Sequence, residues 1–255
     1  MQRVRRFASI AVVASLAVAG LSACRSEPTV AAYVGDSGRI TETRVQEIWD
    51  DARAELTEAA AQQPEAAAQQ PGASAGPPAM PITRGDIVRT LVSADVLAQA
   101  AQRQNVTVPA NLPLGDYATQ LRLPQTAEYV RLHAESDARI RLLREKAQNA
   151  PAPTDADLRE VYDVLIKSKG IEGGTTFEQF KTNLPPENLT LVKTAAAVRN
   201  QVAEVASTMR IRVNPRYQPL TIPVLEFQAE NGELRPLVTV PLGANADDSP
   251  VLDVS

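Results

Sequence analysis

A chain of 255 residues that is 44 % apolar but only 4 % aromatic has enough apolar content for a packed core, and the scarcity of aromatics favours helices over a β-sandwich. Its 26 basic and 30 acidic residues give a net charge of −4; without residues 1–23, which hold three arginines and no acid, the charge is −7, which is not the footprint of a nucleic-acid binder. A single cysteine rules out an internal disulfide.

At the N-terminus, MQRVRR precedes an almost unbroken apolar run from Phe7 to Gly20 that ends in small residues. This is the layout of a secretory signal peptide over residues 1–23, and the run is shorter than the about 20 apolar residues a spanning helix needs. The stretch Leu21-Ser22-Ala23-Cys24 holds that cysteine and resembles the bacterial lipobox. The resemblance implies signal-peptidase cleavage between Ala23 and Cys24 and lipid attachment at Cys24. Two or more acyl chains would then hold the protein on the extracytoplasmic face of the cell membrane, where one chain alone binds marginally. A free thiol left over in a secreted protein is the alternative reading.

After a tether at 24–30, Tyr33-Val34 reads as a short strand, Gly35 to Gly38 as a turn and Arg39-Ile40 as the returning strand. Thr41 suits a helix N-cap, and Val45, Ile48, Trp49, Ala52 and Leu56 recur at helical spacing over about 42–60. Residues 59–82 form an Ala/Gln/Pro-rich segment in which AAAQQP occurs twice, read as a disordered insertion. Thr83 to Asp86 then looks like a capping box opening a helix to about Gln104, with Ile87, Leu91, Val96 and Leu97 on its apolar side.

Two prolines break NVTVPANLPLG, and a short helical piece is expected from Tyr117 to Leu123. A long helix is expected over 125–149, ended by Pro151 and Pro153. Thr154-Asp-Ala-Asp157 is a second Thr-x-x-Asp cap, and Gly170, Gly173 and Gly174 close the helix it opens. A short helix near Thr176 and a long one over about 187–209 follow, the latter with Leu191, Val198, Val202, Val205 and Ala206 on its apolar stripe. Ile211 to Val213 alternates as a strand. In 218–255, LTIPVLEF and ELRPLVTVPL flank Asn231-Gly232, a hairpin signal that Pro223, Pro236 and Pro241 confine to edge strands, before a solvated tail.

The order of these pieces, with GRITETRV at 38–45, PTDADLREVYD at 153–163 and RVNPRY at 212–217, resembles the N-terminal chaperone domain of the SurA/PrsA group of extracytoplasmic folding factors, in the form carried by actinobacterial lipoproteins. The resemblance covers about 31–217. It implies a mainly α fold with a small β element, in which Ala32 to Val34 pairs with Ile211 to Val213 and closes a multi-helix body. It also implies a holdase for non-native or extended polypeptides, with a structural or adaptor lipoprotein that binds one folded partner as the alternative. Many relatives carry a parvulin-type prolyl isomerase domain after the segment matching Thr154 to Asp163. Here only some twenty residues stand between two helices, too few for that domain, so the resemblance does not extend to isomerase activity.

Little else points to chemistry, and no cofactor, metal or catalytic residue is assigned. His133 is the only histidine, flanked by Arg131 and Glu135, and reads as a solvated or half-buried helix residue. Asp155, Asp157, Glu160 and Asp163 suit a helix N-terminus, whose dipole favours acids. The stretch RIRLLREK at 139–146 reads as a solvated helix face paired with nearby acids, with a basic membrane or partner patch as the alternative. Gly170 to Gly174 lacks the lysine of a phosphate loop.

Overall fold

The structure, a computed structural model, describes residues 29–36, 38–62, 78–229 and 234–243. Ala23 and Cys24, residues 63–77 of the Pro-rich insertion, the Asn231-Gly232 turn and the tail from 244 lie outside the described residues.

Strand β1 (Val30–Val34) turns through Gly35, whose φ of +69° is the left-handed region that glycine enters freely, into β2 (Gly38–Thr41). On its other edge β1 pairs antiparallel with β3 (Arg212–Val213), Ala32 opposite Val213 and Tyr33 opposite Arg212, so the sheet order is β2-β1-β3. The expected meeting of the two chain ends is therefore present. Further bonds tighten it: the Asn214 amide donates to the Ala31 carbonyl at 2.9 Å, and the Gly35 amide to the Met209 carbonyl at 2.5 Å. Just beyond β3, the Tyr217 hydroxyl donates to Glu42 at 2.7 Å and Arg216 pairs with the same carboxylate.

Seven α-helices stand among the described residues, and the fold is mainly α with two small antiparallel sheets. Helix α1 (Glu42–Gln62) buries Val45, Ile48 and Ala52, while Trp49 is half-buried with the Arg84 guanidinium 4.6 Å from its ring. The helix thus continues past Ala59, where composition placed the insertion. Ile82, assigned to that insertion, is only 5 % exposed and belongs to the core. One β-branched side chain next to the cap outweighs the loop-like composition around it.

Helix α2 (Arg84–Arg103) begins at the expected box, with Thr83 and Asp86 bonding each other's backbone amides. Helix α3 (Leu114–Leu121) precedes the long α4 (Glu128–Lys146), which a short 3₁₀ turn extends to Asn149. Helix α4 starts later than expected, and its own N-cap, Ala127, has no side chain to cap with. Asp51 of α1 supplies the acceptor instead, taking the Glu128 amide at 2.8 Å, and Arg44 of α1 pairs with Glu128 at 2.5 Å.

Helices α5 (Asp155–Lys167), α6 (Phe177–Asn183) and α7 (Pro186–Thr208) follow. The second Thr-x-x-Asp box is present: Asp157 accepts from the Thr154 amide at 2.7 Å and its hydroxyl at 2.6 Å. The other Asp157 oxygen receives Arg199 of α7 at 2.6 Å, and Arg199 also reaches Glu160 at 2.6 Å. The acidic cluster is thus a cap and a clamp between α5 and α7. Burial works against the Asp157 charge, but the Thr154 bonds and Arg199 outweigh it and hold the carboxyl below its usual value. A depressed folded value gives stability that is full above the unfolded carboxylate value of 3.8 and is lost as pH falls through the lower folded one. Asp157→Ala should accordingly cost about 2–4 kcal/mol at pH 7. Its deficit against wild type should shrink in urea titrations below about pH 4, near the unfolded carboxylate value.

The C-terminal hairpin, β4 (Leu220–Gln228) with β5 (Leu234–Leu242), is the second sheet. Each strand has one partner, so both are edges and tolerate Pro223, Pro236 and Pro241. The register shifts around Leu225, where successive residues Val224 and Leu225 are both buried. The hairpin packs into the body: Ile222, Val224, Val238 and Val240 join the same core cluster as α2 and α7.

Candidate functional site

An open, mostly apolar groove of about 610 Å³ runs between α5, α6, α7 and the hairpin. Its walls include Leu165, Ile171, Phe180, Leu184, Leu191 and Phe227. Local sequence builds each wall. Helix α5 ends at Lys167, Lys169 adopts a φ of +58°, and Gly170 lets the loop lie against β4, where an added Cβ would stand 3.0 Å from the Phe227 ring. Thr176 caps α6 through Gln179, and Phe177 (edge-on) and Phe180 (tilted) each lie 5.6 Å from the Tyr162 ring. Pro185-Pro186 starts α7, whose first turns carry Leu189 and Leu191.

Leu191 departs from expectation. It sits on what the sequence marks as a buried stripe, yet it is 42 % exposed, because it lines the open groove. The groove lining contains no lysine or arginine, and its acids are Glu172 and Glu226. Sequence reasoning missed Ile171 and Phe227 as groove residues, one in a glycine-rich loop and one on a strand. The available signal was the break in alternation at Val224-Leu225, which marks a bulge re-aiming the side chains beyond it.

A second, polar pocket of about 300 Å³ lies where the hairpin meets α2, α3 and α4. Here His133 is half-buried, as expected, with its ring centroid 6.1 Å from both Tyr117 and Tyr129. Burial lowers its pKa, the nearby Asp137 partly opposing this, so the neutral ring is favoured. The Tyr117 hydroxyl donates to Asp137 at 2.5 Å, and burial together with this bond pushes its pKa up to about 12.

In the basic stretch 139–146, Arg139 approaches Glu135 at 3.5 Å and Arg144 turns its Nε toward the Thr194 hydroxyl at 3.5 Å. Among the described residues no cluster of His, Cys, Asp and Glu could hold a metal ion, and no helix is long and apolar enough to cross a membrane. Comparison with protein-family models, curated proteins and solved structures finds no match for this chain.

Proposed function

We propose that the chain is a lipid-anchored extracytoplasmic holdase that binds non-native or extended polypeptide segments at the apolar groove beside α7. The observation that carries this reading is the groove itself. Its volume of about 610 Å³ lies within the range of about 300–1,000 Å³ typical of binding clefts. A holdase needs apolar surface that solvent can reach on a body that stays folded without a client. Both conditions have a structural counterpart: Leu191 is exposed, while the core beneath it is sealed by Val192, Ala195 and Val198.

Cys24 supplies the anchor in this reading, by its likeness to a lipobox. The pairing of β1 with β3 is one that the SurA/PrsA resemblance implies, and it supports the reading to that extent. No catalytic role is assigned, and the segment between α5 and α7 holds a loop and the seven residues of α6 in place of an isomerase domain. Residues 25–255 are expected to slow the aggregation of an unfolded envelope protein at near-stoichiometric ratios, followed by light scattering. Unchanged aggregation overturns the reading, and crosslinked capture of one folded partner in place of a broad unfolded set favours the adaptor.

A further inference from the structure

We infer that the polar pocket between the hairpin and α2, α3 and α4 binds an organic cation, the alkylammonium or guanidinium group of a lysine or arginine side chain or of a free amine. Three rings stand in its lining: Tyr117 meets the His133 ring edge-on at 71° and Tyr129 lies nearly stacked on it at 29°. Phenol faces attract cations. Two carboxylates, Asp137 and Glu226, share the lining, and Glu226 has no hydrogen bond or ion pair among the described residues. Both carboxylates are exposed to solvent, and between them they repel an anion and attract a cation.

The pocket's own cation does not fill that role. Arg89 lines it but is paired with Asp86 one turn away, which weakens its pull on the two carboxylates. Arg141 and Arg144 lie near this site without lining it, and Arg144 is turned toward Thr194. Glu226 also feels the deficit, since partial burial and the Asp137 charge raise its pKa while Arg89 only partly offsets them.

An independent observation points to a polar guest here. Ser93 lines the pocket, is only 5 % exposed, and its hydroxyl oxygen has no hydrogen-bond partner. Two other helical serines in this chain return the hydroxyl to a carbonyl one turn back, Ser136 to Leu132 at 3.0 Å and Ser207 to Glu204 at 2.7 Å. An unpartnered buried hydroxyl costs about 1–3 kcal/mol. An N–H donor in the pocket would satisfy it, and ammonium and guanidinium groups offer only donors.

Glu226 belongs to the lining of both the pocket and the apolar groove. A basic side chain held here would therefore adjoin an apolar one held there. That the cation arrives on a polypeptide rests on the holdase reading; the cation site itself does not.

The test uses the full chain with ring-labelled histidine, because His133 is the only one and gives a single set of ring signals inside the pocket. N-acetyl-lysine methylamide and its arginine counterpart should shift those signals saturably, with Kd on the order of 1 mM, while the glutamine counterpart should not. Asp137→Asn with Glu226→Gln should weaken the lysine compound at least about tenfold. Equal shifts with the glutamine compound, no shift with either cation, or undiminished binding to the double variant overturns the cation site. The first two comparisons use wild-type protein, so they hold even where the variant fails to fold. An apolar peptide carrying one lysine should bind more tightly than the free compound if the guest comes on a polypeptide; equal affinity assigns the pocket to free amines. Positive titration with unchanged aggregation removes the holdase reading and keeps the site; the reverse outcome removes the site alone.

Discussion

Truncation after Tyr217 is expected to leave a protein with no cooperative unfolding transition. The hairpin lost with it contributes eight core side chains: Leu220, Ile222, Val224, Leu225, Leu237, Val238, Val240 and Leu242. Each is worth about 1.5–3 kcal/mol when fully buried, so their sum matches or exceeds the about 5–15 kcal/mol by which a whole domain is stable. Removal also opens the faces of α2, α5 and α7 against which the hairpin packs. A milder change reports the same dependence in an intact chain. Ile222→Ala, at a fully buried position, should cost about 2–5 kcal/mol in urea denaturation with an unchanged slope. A truncated chain that still unfolds cooperatively at the wild-type midpoint would make the hairpin an appendage resting on a self-sufficient helical body.

That dependence was hard to read from the residues. Helices α1, α2, α5 and α7 announce themselves through spacing and caps, because an amphipathic stripe and a Thr-x-x-Asp box are local properties of the chain. The pairing of β1 with β3 came from a resemblance, since two or three residues of alternation specify no partner. The hairpin was legible as a hairpin, but its prolines suggested an outlying edge, and nothing local says that an edge strand covers α7. The start of α4 was misplaced for a related reason: its acceptor, Asp51, lies 77 positions away in sequence. The groove was illegible as a site because its walls come from residues 161–192 and 225–237, which meet only once the core has packed. His133 was read as solvated or half-buried, but its company was not legible, since Tyr117, Tyr129 and Glu226 line the same pocket from three elements.

Leu191→Asp combined with Ile171→Asp is expected to abolish aggregation suppression while leaving the fold intact. Both side chains line the groove, Leu191 is 42 % exposed and Ile171 is half-buried in a loop, so neither carboxylate enters the sealed core. An exposed leucine gives up little folding energy on replacement, within about 0.5 kcal/mol, and the half-buried isoleucine somewhat more. A client side chain in the groove loses far more. Forfeiting even half the burial of one large apolar group is worth about 1 kcal/mol, and a carboxylate left dry beside it adds to the penalty. Since about 1.4 kcal/mol is a factor of ten, the two changes together should weaken client binding by more than about tenfold. Light scattering then needs correspondingly more protein for the same delay, while circular dichroism melts stay close to wild type.

The comparison that gives this result meaning is Leu189→Asp. Leu189 lies two residues from Leu191 on the same helix and is 39 % exposed, but it is absent from the groove lining. It introduces the same charge on an equally accessible leucine of α7. A groove that seats the client in a defined place predicts near-wild-type suppression by Leu189→Asp and its loss in the groove variant. Equal loss in both would mean that the surface of α7 holds clients by undirected apolar contact, and no loss in either would move the client site away from the groove altogether.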